Sequence, residues 1–228
     1  MLKILLASLS IAAATAELIV DPEIPGRMLL SEKVSSGVVS LKTPAPHITE
    51  AYFADDKERT PLTIKFNKDA TEVQLIIPEK LRSRKDAIAL EVAENSQVFP
   101  NGRVVFSALD SRVEGKQAKL ETHPGNHRIG FWANIDDKVV WDFKRSNCGM
   151  VSVELTYSLA GKSSDVEVTI GGSDPVKGTI SSTGSRYCYT TVNLGRVYME
   201  KDSPTTVMVK GLKKEGGAVM NLKAVTVV

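Results

Sequence analysis

The chain has 228 residues, with 29 lysines and arginines against 27 aspartates and glutamates, which gives a formal net charge of +2. Hydrophobic residues make up 42% and charged residues 25%, as in ordinary globular proteins. The near balance of charge argues against nucleic acid as the main partner, because domains that bind it are strongly basic. The length allows one or two domains.

The first 16 residues predict an export signal rather than a part of the fold. Met1–Lys3 is a short positive start, Ile4–Ala14 is apolar with small residues, and residues 14–16 (ATA) are typical of a signal peptidase site. The apolar run is too short to cross a bilayer, and no later run is long enough. We therefore expect an exported protein, periplasmic or secreted, without a membrane span.

Short strands separated by turn residues dominate the region 17–97. Residues 17–28 contain Pro22 and Pro25 and predict a lead-in without regular structure. Strands are predicted after it at Val38–Leu41, Ala51–Phe53, Leu62–Phe66, Val73–Ile77 and Ile88–Val92. This spacing predicts a small antiparallel β-sandwich with a thin core.

A polar stretch at 95–103 separates this region from the rest. Its Asn101-Gly102 pair is a loop signal, and we place the domain boundary between residues 97 and 98. The same pair also fits a hairpin turn between strands at 97–99 and 104–106, which would shift the boundary by a few residues.

The region 98–228 carries a stronger strand signal. Alternating apolar residues predict strands at Val139–Phe143, Val151–Leu159, Val166–Ile170, Lys177–Ile180, Thr191–Met199, Thr205–Lys210 and Leu222–Val228. Gly195 stands where the alternation changes parity, which predicts a β-bulge. No segment here has a helical period, so we predict an all-β chain of two antiparallel β-sandwich domains, at 17–97 and 98–228.

The predicted path of these strands brings four loops to one end of the second sandwich, at 133–138, 159–164, 181–189 and 211–221. An aromatic ring can stack on the C–H face of a pyranose while amides and carboxylates bind its hydroxyls, so this set of side chains suits a sugar. The candidate binding residues are Trp132, Asn134, Asp136, Tyr187 and Asn221. Trp132 fits a place in the core equally well, and both interpretations stay open.

The same path separates the two cysteines. Cys148 falls at the end of the sandwich opposite to Cys188. A strand of about eight residues spans roughly 26 Å, which is well beyond the reach of a disulfide. We therefore predict two free thiols.

The sequence shows no constellation for catalysis. His123 and His127 are spaced like some zinc ligands, but a Pro-Gly pair between them excludes a shared helical face and no third ligand is evident. Asp136 and Asp137 are adjacent in a loop, where neighbouring side chains point apart, so they do not predict an acid–base pair.

Several segments resemble the carbohydrate-binding modules of families 6 and 35. They are GFWANIDDKVVWDF from Gly130, CGMVSVELTYSLA from Cys148, STGSRYCYTTVNLGRVYME from Ser182 and GGAVMNLKAVTV from Gly216. The resemblance covers about half of the chain. It implies that the second sandwich is a jelly roll that holds sugars in a cleft at one end, in line with the loop cluster.

Two positions depart from the pattern of those modules. Arg186 stands where a stacking Trp is usual, so Arg186 and Tyr187 become the candidates for stacking on a sugar or for hydrogen bonds to it. Many such modules hold a structural calcium through an early Glu, matched by Glu121, and a late Asp, which is Lys223 here and would repel a cation. We therefore predict no cofactor, with a structural calcium as the alternative.

The first region resembles the small C-terminal β-domain of family 29 alpha-L-fucosidases. The resemblance lies in AYFAD from Ala51, TPL from Thr60 and VQLIIP from Val73. In that family a catalytic barrel of about 250 residues precedes this domain, and there is no room for one here. The resemblance therefore implies the tail of such an enzyme, without its acid and nucleophile.

These features predict an exported, non-catalytic glycan-binding accessory protein rather than an enzyme. Its expected partners are a glycan or polysaccharide and a glycoside hydrolase. Two alternatives remain. The chain is either a structural or interaction protein with a degenerate sugar site, or a docking subunit or fragment of a separately encoded glycosidase.

Overall fold

The computed structural model describes residues 18–21, 24, 27–31, 37–42, 48–68, 72–92, 96–99, 102–123, 126–144, 148–199 and 204–228. The predicted export signal, residues 1–16, lies outside these ranges. Within them, all regular structure is antiparallel β-strand except for two single 3-10 turns, at Glu79–Leu81 and Ala108–Asp110. No helix in these ranges is long and apolar enough to cross a membrane. The all-β prediction is confirmed.

In the described ranges, seven strands form the first sandwich. They are β1 (Leu18–Val20), β2 (Arg27–Leu30), β3 (Val38–Lys42), β4 (Ile48–Phe53), β5 (Thr63–Phe66), β6 (Glu72–Ile76) and β7 (Ile88–Val92). One sheet has the order β1-β2-β7-β4, and the other has β6 between β3 and β5. The prediction that residues 17–28 lack regular structure is wrong, because β1 and the start of β2 lie within this range.

Twelve strands of the described residues form the second sandwich. They are β8 (Gln97–Val98), β9 (Val104–Ser107), β10 (Arg112–Glu114), β11 (Lys119–Glu121), β12 (Arg128–Gly130), β13 (Lys138–Lys144), β14 (Gly149–Ser158), β15 (Ser164–Ile170), β16 (Val176–Ile180), β17 (Cys188–Met199), β18 (Pro204–Lys214) and β19 (Asn221–Val227). One sheet has the order β10-β13-β18-β15-β16 and the other β11-β12-β19-β14-β17, with β9 and β8 beside β19. This is the predicted jelly roll.

The period of two in the sequence sets the core between these sheets. Trp141 of β13 lies opposite Val207 of β18, and both are buried, while the alternating residues of β15 are buried and half-exposed in turn. The bulge predicted at Gly195 is confirmed, because β14 pairs with Gly195 and then with Asn193, and skips Leu194. The alternative hairpin around Asn101-Gly102 is also present, since β8 pairs with β9.

A strand shared by both sandwiches joins them. Strand β17 pairs with β14 along most of its length, but its first residues, Cys188 and Tyr189, pair with Lys65 and Ile64 of β5. Tyr189 is fully buried in the core of the first sandwich, and its ring meets Phe66 edge-on with 5.8 Å between centroids. A single sheet therefore runs from one sandwich into the other.

A buried ion-pair network makes a second contact between the sandwiches. Arg103, in the turn between β8 and β9, is 2% exposed and pairs with Glu50 of β4 and, at 3.2 Å, with Glu91 of β7. Arg59 pairs with Glu50 at 3.4 Å and with Glu154 of β14 at 3.0 Å. Arg103 of the second sandwich thus binds two carboxylates of the first, and Arg59 of the first sandwich binds a carboxylate of the second.

The two thiols are free, as predicted, with Cys148 exposed and Cys188 buried. The cross-strand pairs of β14 and β17 place them at opposite ends of this strand pair. Gly149, next to Cys148, faces Met199, and Tyr157 faces Thr190, near Cys188.

Candidate functional site

A cavity of about 330 Å³ opens at one end of the second sandwich, and we call it the rim pocket. Its polar and aromatic lining consists of Glu121, Arg128, Phe131, Ser158, Arg186 and Asn221. Three of the four loops predicted to share this end contribute to it, namely 159–164, 181–189 and 211–221. The hairpin path inferred from the sequence is therefore correct for these three loops.

Gly130, the last residue of β12, lies between two polar side chains of the rim pocket. A Cβ atom at this position would fall 2.0 Å from Oε2 of Glu121 and 3.3 Å from Oδ1 of Asn221. Glycine therefore lets a carboxylate and an amide approach the same backbone position. Both groups line the pocket, where they can accept hydrogen bonds.

Phe131 presents the exposed aromatic ring of the rim pocket. It is 59% exposed, and its backbone φ of 54° lies in the left-handed region, which is rare for a bulky residue and costs roughly 1–3 kcal/mol. The Lys119 ammonium lies 4.2 Å from the centroid of its ring. Strained backbone of this kind clusters at functional sites, which singles out Phe131 as a candidate ligand contact.

Trp132 does not line the rim pocket, and its prediction as a stacking platform is wrong. The side chain is 0% exposed and belongs to the core of the second sandwich, while its carbonyl accepts a hydrogen bond from Val219 N–H at 2.7 Å. The left-handed backbone at Phe131 is the physical reason, because it breaks the alternation and turns the next side chain inward.

The core position of Trp132 leads to a stability prediction. We expect Trp132→Phe to lower the free energy of unfolding by about 1–2 kcal/mol, because it removes buried volume. Urea denaturation followed by circular dichroism measures this change. A variant as stable as the wild type would contradict the core assignment.

Arg128 organises the wall behind the rim pocket. It is 4% exposed, and its Nε donates to Oε2 of Glu121 at 2.7 Å while Nη1 donates to the Arg186 carbonyl at 3.0 Å. Ser158 Oγ and Asn221 Nδ2 also donate to that carbonyl, at 2.8 and 3.2 Å. Burial alone would lower the pKa of Arg128, but Tyr189 and Glu121 raise it, so the guanidinium stays charged.

Three predicted residues thus lie at or beside the rim pocket. Arg186 and Asn221 line it, and Arg186 has an exposed side chain. Tyr187 is half-buried beside the pocket, where its ring centroid lies 5.3 Å from the Arg128 guanidinium carbon. Besides lining the pocket, Asn221 stabilises the loop 181–189, because its Nδ2 donates to the Arg186 carbonyl.

Asn134 and Asp136 lie outside the described lining of the rim pocket, so their role in binding a sugar stays a prediction. The loop 133–138 is instead organised by buried Asp137, whose carboxylate accepts hydrogen bonds from Lys116, Gln117 and Ala118 N–H at 2.7–2.9 Å. Asn134 Nδ2 donates to the same carboxylate at 3.0 Å, and Asp136 is exposed. Burial would raise the pKa of Asp137, but these donors hold it below its usual range.

The residues considered for calcium do not fit that ion. The Glu121 carboxylate is paired with Arg128, and Lys223 is buried with its ammonium 4.5 Å from the ring centroid of Phe66. Glu121 is thus already neutralised by a guanidinium, and Lys223 offers a nitrogen where calcium needs an oxygen ligand. In the part of the chain that the structure describes, no three His, Cys, Asp or Glu side chains gather as metal ligands would.

The fold and the site define an all-β protein whose second sandwich is a jelly roll with a pocket at its loop end. The chain belongs to the family described as "Domain of unknown function (DUF5077)", whose model matches residues 113–228, half of the chain. No curated protein matches it.

Several solved structures are similar to parts of the chain. A family 35 carbohydrate-binding module from Clostridium thermocellum shares 16% identity over 55% of this chain and 96% of its own, with a TM-score of 0.47. The C-terminal CBM6 of a marine laminarinase from Zobellia galactanivorans shares 14% over 55% and 98%, with a TM-score of 0.45. An isomalto-dextranase from Arthrobacter globiformis shares 11% over 89% of this chain and 35% of its own, also at 0.45.

Proposed function

We propose that this chain is an exported, non-catalytic glycan-binding accessory protein and that the rim pocket is its binding site. The observation that carries the proposal is the exposed ring of Phe131 beside the amide of Asn221 and the charged groups of Glu121 and Arg186. A sugar ring presents an apolar face for the aromatic side chain and hydroxyls for the polar ones, so this combination fits a glycan.

The size and charge of the rim pocket support binding rather than bond cleavage. Its volume lies at the small end of the range for ligand sites, which suits a short stretch of glycan. A glycosidase needs two carboxylates facing each other across the scissile bond. The described lining of the pocket includes the carboxylate of Glu121, which is already paired with Arg128.

The finer parts of the proposal come from the sequence. The export signal at 1–16 and the division of the chain near residue 97 belong to it, as does the resemblance of the first sandwich to the tail of a fucosidase. A glycoside hydrolase as partner follows from that resemblance. Copurification with such an enzyme from the native host would support this part.

Replacing the exposed ring tests the site. We expect the wild type to be retained by at least one polysaccharide or mucin glycan on an array or affinity gel, and Phe131→Ala to weaken its affinity about tenfold. Calorimetry with the best-retained glycan measures the change. Tyr198→Ala, which removes an exposed aromatic ring from a strand end remote from the rim pocket, is the matched control and should bind like the wild type.

Two outcomes would contradict the proposal. Retention of the wild type on no glycan would favour the alternative of a degenerate site, which the replacement of a stacking Trp by Arg186 already suggests. Equal affinity of Phe131→Ala and the wild type would move the binding site away from the rim pocket.

A further inference from the structure

The first sandwich holds one side of the rim pocket in place. The backbone N–H of Phe66, at the end of β5, donates to the carbonyl of Tyr187 at 2.9 Å. The ladder continues through Cys188 and Tyr189, which pair with β5. The loop that carries Arg186 into the pocket is therefore fixed at its C-terminal end by a strand of the other sandwich.

Tyr189 extends this connection to the polar groups of the pocket. Its hydroxyl oxygen accepts a hydrogen bond from Nη1 of Arg128 at 3.4 Å. The same guanidinium donates to Glu121 and to the Arg186 carbonyl. Because a guanidinium is planar and presents its donors at fixed angles, acceptors on three elements determine its orientation.

The contacts between Tyr189 and Arg128 are shielded from water. Tyr189 is 0% exposed and Arg128 is 4% exposed, so water has little access to the bonds between them. Burial raises the pKa of Tyr189, and its hydroxyl stays protonated while it accepts from Arg128. A substitution of Tyr189 should therefore change the orientation of Arg128 and, through it, the position of Glu121 at the pocket surface.

We propose that Tyr189 is a positioning residue for the rim pocket and that the first sandwich is part of the scaffold of this site. The first sandwich orients Arg128 through Tyr189, and Arg128 orients Glu121 and the Arg186 carbonyl before the ligand arrives. Groups that are already ordered lose less entropy on binding. The inference depends on the proposed function for the identity of the ligand, a glycan.

The full-length Tyr189→Phe variant tests this role, with Tyr52→Phe as the matched control. Tyr52 is a buried tyrosine of the same sandwich, but its hydroxyl donates to Glu91 rather than contacting Arg128. Two quantities are measured, namely the affinity for the glycan best retained by the wild type and the Nε–H resonance of Arg128 in ¹⁵N spectra. Arg128→Lys identifies that resonance by its disappearance.

We expect Tyr189→Phe to weaken the affinity about threefold to tenfold, because Arg128 and the groups it orients would then lose more conformational freedom on binding. It should also shift the Arg128 Nε–H resonance and speed its exchange with water. Tyr52→Phe should leave both quantities unchanged, even where the two variants lose similar thermal stability.

The resonance separates this inference from the proposed function. If the wild type retains no glycan, the proposed function fails, and an unchanged resonance in Tyr189→Phe then overturns the inference independently. A shifted resonance with unchanged affinity also overturns it, because Tyr189 would orient Arg128 without any consequence for the ligand.

Discussion

Arg103→Met is expected to lower the free energy of unfolding by about 3–5 kcal/mol at pH 8, the largest loss we predict from one side chain. Arg103 pairs with Glu50 and Glu91, and both carboxylates are almost fully buried. Without it, Glu50 keeps the pair with Arg59, and Glu91 keeps the hydrogen bond from Tyr52. A buried carboxylate that loses its cation costs several kcal/mol.

The loss should shrink at low pH, since protonation removes the unpaired charge. Burial already raises the pKa of Glu50, and removal of the Arg103 charge raises it further. The variant therefore loses stability, relative to the wild type, as the pH rises through that pKa. Urea denaturation from pH 5 to pH 8 measures this trend.

A surface arginine provides the control for Arg103. Arg112 is half-exposed and pairs with Asp142 at 2.6 Å, so Arg112→Met should change stability by at most about 0.5 kcal/mol. Equal effects of the two substitutions would show that the Arg103 network adds nothing beyond an ordinary surface pair.

Between pH 7 and pH 10, the free energy of unfolding of the wild type should rise by up to about 4 kcal/mol relative to Lys223→Met. Burial first, and the nearby charge of Arg128 second, lower the pKa of Lys223 to about 7. Its ammonium lies between the rings of Phe66 and Tyr189, with Asn126 Oδ1 at 3.5 Å.

The sign follows from proton binding. Above pH 7 the folded chain releases the Lys223 proton, while the unfolded chain keeps it up to its ordinary pKa of 10.5. The unfolded state then binds more protons, so stability increases with pH in this window. Lys223→Met removes the titration and should stabilise the protein at pH 7.

Chemical denaturation at each pH measures the difference between the wild type and Lys223→Met. The same measurements on Lys65→Met, which replaces an exposed lysine of β5, provide the comparison. If the stability difference between the wild type and Lys223→Met does not change with pH, the two rings keep the ammonium charged in the folded state.

Much of the fold could be predicted because half-buried strands alternate in sequence. Strands such as β13 and β15 show this period, and the hairpin order then fixed which loops meet at the rim. Short strands cannot be predicted from this alternation, because the three residues of β10, β11 or β12 are too few to show a period. Strands β1 and β2 are equally short, with three and four residues, and the nearby prolines Pro22 and Pro25 favour irregular structure in the sequence pattern.

The site was harder to predict, since one backbone conformation decides it. The left-handed φ of Phe131 exchanges the roles of two neighbouring aromatic residues, and the amino-acid sequence gives no signal of that conformation. Arg128 was missed for a different reason. A buried arginine makes sense only with acceptors around it, and these come from distant parts of the chain.

The position of strand β17 affects how this chain can evolve by recombination. Many multidomain proteins exchange whole domains by recombination, because an exposed linker joins the domains. Here the two sandwiches share a hydrogen-bonded ladder. Recombination near residue 97 would therefore separate β5 from β17 and leave Tyr189 without its apolar surroundings. Separating the two sandwiches of this chain should therefore expose β5 and Tyr189 to water.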